Sequence, residues 1–370
     1  MDNETDILVI GAGIAGASVA AHLASNRKVR ILEMEERPGY HSTGRSAAAY
    51  EPNYGPPAIR ALTRAARAFY ERPPEGFTAT PLLEPRETVF LVPTDQQASA
   101  EQVLAGSQGL EEIPVSEAHR RIRLLKKGYA KFALLDRGTA DIDVDLLHQG
   151  YLRLFRAQGG EIVCNATAQK IERSGSLWRA RTPAGEFAAP ILVDAAGAWG
   201  DMIARLAGAK PSGLQPKRRS IAVIPAPSDV MTWPLVGDAG ETWYAKPSGG
   251  KLLVSPADAT PVDPHDAYAD DMLLAEGIDR FQQAIDLPVE RMERNWGGLR
   301  SFVPDGDPVC GYDAELEGFF WLIGQGGYGI QTAPALSRLA AALIKREAVP
   351  ADIAGEGLEA ETLSPRRFRQ

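Results

Sequence analysis

The chain is short of several things that would settle its class at once. Its 370 residues include two cysteines, Cys164 and Cys310, far apart and in no C-x-x-C pattern. Neither a disulfide framework nor a zinc site is signalled, and a reducing compartment, the cytoplasm, is expected. The five histidines lack ligand spacing, so His22, His119, His148 and His265 read as surface or helix-face residues and no metal is expected. Basic residues are outnumbered, 40 against 48 acidic, and the net charge of −8 argues against nucleic acid as a partner. There is no internal repeat or low-complexity tract, and the six tryptophans are most simply core or interface aromatics. Only the stretch 7–24 approaches a long apolar run. Asp2, Glu4 and Asp6 precede it where a leader would be basic, and Gly11, Gly13, Gly16, Ser18 and His22 interrupt it, so neither a signal sequence nor an integral membrane segment is expected. What remains, 44% hydrophobic and 24% charged residues, is a chain able to bury a large core, of a length for two domains, with a small molecule as the expected partner.

The opening residues carry the first positive signal. A buried strand at 6–10, a glycine turn at 11–16, an Ala-rich helix at 14–25 and a second strand at 29–33 form a β-α-β unit. Within it Gly11, Gly13 and Gly16 make G-x-G-x-x-G in the context that gives the motif meaning. Gly11 permits the tight turn, Gly13 lets a pyrophosphate reach the backbone, and Gly16 allows close helix–strand packing. Ile14 and Ala15 open the helix, whose free N–H groups and partial positive charge suit phosphates. Glu33 ends the second strand roughly 20 positions beyond Gly11, where a carboxylate accepts ribose hydroxyls and repels a 2′-phosphate, so FAD or NAD is favoured over NADP. Three later segments favour a cofactor that runs on past the pyrophosphate. They are the donor-rich loop 38–47 with Ser42, Thr43, Gly44, Arg45, Ser46 and Ala47; the strand 191–194 leading to Ala196, Gly197 and Trp199; and the turn at Gly326, Gly327, Tyr328, Gly329, Ile330 and Gln331 ahead of a helix at 333–345. That last helix N-terminus suits negative charge on the pyrimidine edge of a reduced flavin.

The remainder reads as a helix at 56–72, a strand at 87–92, short helical stretches with a basic patch at 101–127, and a helix at 143–158 started by Asp143 and stopped by Gly159 and Gly160. Strands follow at 161–173 and 176–182, joined by Ser174 and Gly175. From 214 to 299 apolar and polar residues alternate among many Pro and Trp, which suggests a mostly antiparallel sheet and a second domain. Residues 319–348 return to strand, glycine turn and helix, so both ends of the chain build the nucleotide-binding part. The tail Arg366, Arg367, Arg369 is expected to be mobile.

The segments LVIGAGIAGAS, PGYHSTGRSAA, TADID followed by LHQGYLR, LQPKRRS, WGGLRSFVPDGDPVCGY, FFWLIGQGGYGIQT and LSPRR span nearly the whole chain. On them the chain resembles FAD-dependent amine and amino-acid oxidoreductases of the D-amino acid oxidase type, and most closely the bacterial D-arginine dehydrogenases. The resemblance implies an α/β, two-domain fold: a Rossmann-type FAD-binding domain from 1–76, 138–212 and 301–370, and a mostly antiparallel β-sheet substrate-binding domain from 77–137 and 213–300. It implies non-covalent FAD, with His41 a hydrogen-bonding loop residue, and oxidative deamination of D-amino acids. The amine is bound neutral or loses a proton, the Cα hydride passes to flavin N5, and the imino acid hydrolyses to a 2-oxo acid and ammonia, with no side-chain base strictly required.

An α-amino acid needs a cationic clamp for its carboxylate and a fixed Cα–H direction. The resemblance assigns the clamp to Arg219 and Arg300, assisted by Tyr54 and Tyr244, with the Gly327 carbonyl accepting from the amine and Gln331 nearby. Where the D-arginine pattern carries a His, a Thr and a guanidinium-binding Glu, this chain has Ala49, Glu51 and Thr88, and Glu87 points to the other face of its strand. Glu51 either supplies the missing carboxylate from the opposite wall or faces solvent, in which case neutral D-amino acids are favoured. Two alternatives stand beside this reading: oxidation of glycine or of a secondary amine such as sarcosine or proline, and a non-catalytic dinucleotide-fold binding protein. The electron acceptor, oxygen or a quinone-linked carrier, is not encoded in any motif.

Overall fold

In a computed structural model of the chain, which describes residues 3–368, the strand Ile7–Ile10 has all four side chains buried, as a strand covered on both faces requires. It lies inside a six-stranded sheet ordered Val309–Tyr312, Phe319–Ile323, Ile191–Asp194, Ile7–Ile10, Val29–Leu32, Glu161–Val163, parallel except for the first pair. The helix Ile14–Leu23 packs behind this sheet against Val144–Ala157 and Gly329–Lys345. Pro334 sits inside the last of these helices and cannot bond the Ile330 carbonyl, which instead accepts from the Tyr70 hydroxyl at 2.5 Å. Asp143 caps the helix Val144–Ala157 by accepting the Leu146 N–H at 2.8 Å, as its position in the sequence suggests.

A nine-stranded sheet forms the other half, with Gln215–Ile224 paired antiparallel to Arg294–Phe302 over nine residue pairs. That register sets Lys217 opposite Arg300 and Arg219 opposite Gly298. Side chains of 217 and 219 share one face, and cross-strand partners share it too, so Arg219 and Arg300 are diagonal neighbours on one surface. The sheet is mostly antiparallel, but Thr88–Val92 runs parallel to Leu235–Asp238. The domain boundary expected at 300/301 would cut the strand Arg294–Phe302.

Several expected elements differ. The strand expected over 161–173 is two: Glu161–Val163 ends the parallel sheet, and Lys170–Ser174 begins an antiparallel hairpin that Gly185–Ala189 extends to three strands. A helix, Asp271–Ala284, interrupts the region read as sheet, capped by Asp270 accepting from Met272 and Leu273. Between 101 and 127 lies a strand, Leu110–Pro114, besides short helices. His148 is buried, 3% exposed, its Nε2 2.9 Å from the Ala12 carbonyl oxygen. The tail is anchored where it is described, since Arg367 pairs with Asp305 at 2.6 Å; Arg369 lies outside the described residues, as does Asp2. Among the described residues no helix is long and apolar enough to cross a membrane, and no cluster of three or more His, Cys, Asp and Glu side chains could hold a metal ion.

Candidate active site

The glycine turn is built by exclusion. At Gly11, φ is +102° and a Cβ would lie 2.6 Å from the Ala195 carbonyl oxygen; at Gly16 it would lie 1.9 Å from that of Gly11. At Gly13 a Cβ would meet a single atom within 4 Å, Thr43 Oγ1 at 3.3 Å, a side chain that would have to give by a few tenths of an ångström. The first-turn N–H groups of the helix Ile14–Leu23 have no intrahelical acceptor; Ile14 donates to Thr43 Oγ1 at 3.0 Å. Glu33 accepts the Ala12 N–H at 2.7 Å and the Glu35 N–H at 3.0 Å, which fixes its carboxyl at the end of the strand. Burial pushes that carboxyl up from its ordinary value, against those two bonds. An open helix N-terminus, a backbone without Cβ atoms and a fixed acceptor fit the pyrophosphate and ribose of a dinucleotide.

The loop 38–47 is held from outside. Ser42 Oγ donates to the Leu299 carbonyl at 2.8 Å, and the Trp296 indole N–H to that of Arg45 at 3.0 Å. Arg45 braces the loop by donating to the Ala267 carbonyl at 2.6 Å and to Asp266, so the cation expected to meet the cofactor is spent largely within the protein. Lys246, buried on the strand Tyr244–Ser248, donates to the carbonyls of Ala47 at 3.1 Å and Ala48 at 2.9 Å and pairs with Asp141 at 2.7 Å. His41 bonds Glu35 at 2.8 Å and lies against Trp199, ring centroids 4.6 Å apart.

One cavity of about 350 Å³ runs from Glu33 and Gly13 past Thr43, Ala196 and Trp199 to the nine-stranded sheet. Its wall includes Gly11, Ile14, Ala15, Ser42, Arg45, Ser46, Ala47, Gly197, Gly326, Gly329 and Ile330. At the far end it gathers Tyr54, Arg219, Tyr244, Arg300, Gly327 and Gln331, with Ala49 and Glu51 of the specificity positions. Four expected residues do not border it. Gly16 packs on Gly11, and Gly44 turns the loop, its N–H donating to the Gly39 carbonyl at 2.8 Å. Tyr328 lies edge-on to Tyr54 at 5.1 Å, and Thr88 is 1% exposed with its hydroxyl 3.1 Å from that of Thr139. Glu87 is on the other face, paired with Arg121 and Arg137, each at 2.8 Å.

The far end is electrostatically incomplete. Arg219 donates through Nε to the Asp258 backbone carbonyl at 2.7 Å. Burial, then the charge of Arg300, pulls its guanidinium below its ordinary value. Among the described residues no carboxylate lies within ion-pair distance of either arginine. Gly327 makes room for Arg300, since a Cβ there would sit 2.8 Å from the guanidinium carbon. Two cations side by side without a counter-ion make an anion site, and a planar carboxylate matches their fork geometry. Glu51 lines the same end, its backbone N–H donating to Gln331 Oε1 at 3.1 Å. Burial first, then Asp136 and Glu241, pushes its carboxyl up to about 7. Reasoning from sequence missed Glu241 and Lys246. Lys246 had a signal, lying two positions after Tyr244 on one strand; Glu241, at φ +51° in a turn, had none.

A family model described as FAD dependent oxidoreductase, DAO, matches residues 6–343. A glycine oxidase of Pseudomonas aeruginosa is 25% identical, covering 91% of this chain and 94% of its own length; a glycine oxidase of Bacillus subtilis is 25% identical, covering 95% and 96%. Among solved structures, glycine oxidase from Geobacillus kaustophilus (TM-score 0.85, 20% identity, 99% of each chain) and L-proline dehydrogenase from P. horikoshii (TM-score 0.85, 20% identity, 100% and 99%) share the two-domain fold. The chain therefore belongs to the DAO family of FAD-dependent oxidoreductases, and FAD is its cofactor.

Proposed function

We propose that the protein oxidises the Cα–N bond of α-amino acids, with D-amino acids as substrates, in the manner of oxidative deamination. The observation that carries this reading is the pair Arg219 and Arg300, two guanidinium groups at one cavity end with no carboxylate among the described residues to neutralise them. A substrate carboxylate completes that pair, and the hydroxyls of Tyr54 and Tyr244 add donors to it. Each charge-assisted bond contributes about 1.5–3 kcal/mol. With the acid end fixed, the amine meets the Gly327 carbonyl and the Gln331 amide, and the Cα–H has one direction left to it.

FAD, when bound, supplies the two-electron acceptor. Gly11, Gly13, Ile14 and Ala15 would hold its pyrophosphate, Glu33 its ribose, the loop 42–47 with Ala196, Gly197 and Trp199 its middle, and Gly326 to Gln331 the ring edge, beside Arg300. A second reading, glycine or a secondary amine such as sarcosine or proline as substrate, is favoured by the names of the relatives. The guanidinium-binding position of the D-arginine dehydrogenase pattern is Thr88, which is off the cavity, so that pattern gives D-arginine no advantage over neutral D-amino acids.

The test is anaerobic bleaching of the yellow holoprotein by a panel of D-arginine, D-lysine, D-methionine, D-phenylalanine, glycine, sarcosine and L-proline. Bleaching by the D-amino acids is the expected result. Bleaching confined to glycine, sarcosine or proline replaces the first reading by the second, and a flavin that none of them reduces sinks both.

A further inference from the structure

A smaller cavity of about 70 Å³ abuts the far end of the large one, and Glu51, Tyr54, Phe90 and Glu241 border both. Three carboxylates line it, from Glu51, Asp136 and Glu241, with one cation, Arg60, which donates to the backbone carbonyls of Gly55 at 2.7 Å and Ala105 at 3.3 Å. Asp136 is committed, accepting from Asn53 at 2.7 Å and the Gly138 N–H at 2.8 Å. Glu241 is exposed to solvent and accepts from the Tyr54 hydroxyl at 3.4 Å. Among the described residues the Glu51 carboxylate has neither a hydrogen bond nor an ion pair, although its backbone is fixed to Gln331. Gln331, 4% exposed, keeps its Nε2 buried with no partner. Polar groups held without partners at a cavity wall are costly unless a ligand or a proton satisfies them.

Resting on the amino-acid reading above, we infer that Glu51 takes the proton that the substrate's α-ammonium must give up, and that Glu241 passes it to solvent along the small cavity. One N–H bond of the ammonium breaks, its electron pair stays on nitrogen, and an O–H bond forms on Glu51. The pair of opposite charges becomes a neutral amine beside a neutral acid. The nitrogen lone pair then assists departure of the Cα–H with its two electrons, for which bound FAD would supply the acceptor, leaving a protonated imine. Of the other groups at this end, Arg219 and Arg300 are cations, burial pushes the Tyr54 phenol up, away from working pH, and Glu241 is exposed and already accepts from the Tyr54 hydroxyl. The groups facing Glu51 are Asp136 and Glu241, which with burial raise it to about 7, and Lys246 and Arg300, which oppose that rise. A base near 7 suits proton transfer at neutral pH better than an ordinary carboxylate does.

The experiment is anaerobic single-turnover reduction of the holoenzyme's flavin by the amino acid that bleaches it, from pH 5.5 to pH 10. The wild-type limiting rate should rise through a break near 7. Glu51→Gln, with its flavin retained, should lose about 100-fold in rate at pH 7 and move the break up by at least about one unit. Glu51→Asp should restore the lower break and at least about tenfold of the rate. An unmoved break in Glu51→Gln, or a displaced one in Glu51→Asp, overturns the inference.

Calorimetry gives a reading without turnover, using 2-aminoisobutyrate, which has no Cα–H, at pH 8 in two buffers of different ionisation heat. Wild-type holoenzyme should release about one proton per site on binding, because at pH 8 Glu51 hands the ammonium's proton on to solvent, and Glu51→Gln, with no acceptor beside the ammonium, should release clearly less; equal counts overturn the proposal. If Glu51→Gln loses only D-arginine and D-lysine while the break with D-methionine stays, Glu51 serves a cationic side chain and the inference fails. Failure of every amino acid to bleach the flavin is a different result, and it removes the amino-acid reading itself.

Discussion

At the parallel sheet the cavity wall consists of what side chains leave out, and at the nine-stranded sheet of what they put in. Gly11 and Gly16 bring backbone to within van der Waals contact of backbone, and the useful groups there are N–H dipoles and one fixed carboxyl, Glu33. At the other wall Arg219 and Arg300 present long side chains brought together by strand register, and Tyr244 and Glu51 reach the same end from other parts of the chain. The first wall is a shape that one residue type permits. The second is a charge pattern that a few substitutions can rewrite without disturbing the sheet beneath, so one family can keep its cofactor and change its substrate.

The largest effect should come from breaking the first wall. Gly16→Ala forces a Cβ to 1.9 Å from the Gly11 carbonyl oxygen, which no side-chain movement relieves. We expect a loss beyond the usual overpacking cost of about 1–3 kcal/mol, seen as aggregated or flavin-free protein. Gly13→Ala sharpens the contrast, because its Cβ meets only the Thr43 hydroxyl at 3.3 Å. That protein should fold, lose less than about 1 kcal/mol by chemical denaturation, and still release FAD more readily. Equal behaviour of the two variants would show that the turn and the ligand surface are one feature and not two.

Breaking the second wall should leave the first intact. Arg300→Ala is expected to raise the substrate KM at least about tenfold, from the loss of about 1.5–3 kcal/mol, with flavin content unchanged. Loss of flavin in this variant would erase the division between the walls, and unchanged kinetics would falsify the clamp. Gly327→Ala is the milder form, since its Cβ displaces the Arg300 guanidinium from 2.8 Å without removing it, and a smaller rise in KM should follow.

The same contrast explains what could be read beforehand. Gly11 to Gly16 and Glu33 act through local geometry, so spacing alone located them. Arg219 lies in the run Lys217-Arg218-Arg219, which residue by residue looks like a solvated strand. Alternation sends Arg218 to the other face, where it pairs with Asp270 at 2.7 Å, and the pairing of Lys217 with Arg300 brings the second guanidinium onto the face of Arg219. Register between strands some eighty residues apart is invisible to periodicity, and only the resemblance pointed to the pair. The helix Asp271–Ala284 was hidden by reading a whole region for alternation, and the split of 161–173 by a crossover between two sheets that an apolar pattern does not mark.

A wall of titrating side chains should also show itself as stability that depends on pH. Glu51 has a folded value near 7 against 4.5 unfolded, so the native state binds the proton more tightly. Its contribution is best at low pH and declines as pH rises from about 4.5 through 7, by at most about 3.4 kcal/mol. Glu51→Gln removes that decline. Thermal unfolding should find the variant several degrees more stable than wild type at pH 8 and equal to it near pH 4.5. The reverse order at pH 8 would mean that the carboxylate form is the one the fold favours.

The cradle has a titrating group of the opposite sign, behind the glycine turn and away from any ligand. His22 lies on the helix Ile14–Leu23 with its ring edge-on to Tyr151 at 6.1 Å and its Nε2 buried without a partner. Burial, then the charges of Arg338 and Lys345, pulls it from 6.5 down to about 4. A histidine depressed in the fold stabilises it above its unfolded value, and that contribution is lost as pH falls from 6.5 towards 4, about 1–2 kcal/mol of it by pH 5. His22→Gln should therefore flatten the acid flank of the stability curve and leave the flank above pH 7 as it is, while Glu51→Gln does the converse. If His22→Gln leaves the acid flank unchanged, that flank belongs to paired carboxylates such as Asp305 and Asp352, whose partners Arg367 and Arg338 hold them below their ordinary values. The cradle would then carry no titration of its own, and the division between a wall of backbone and a wall of charge would be sharper than the histidine allows.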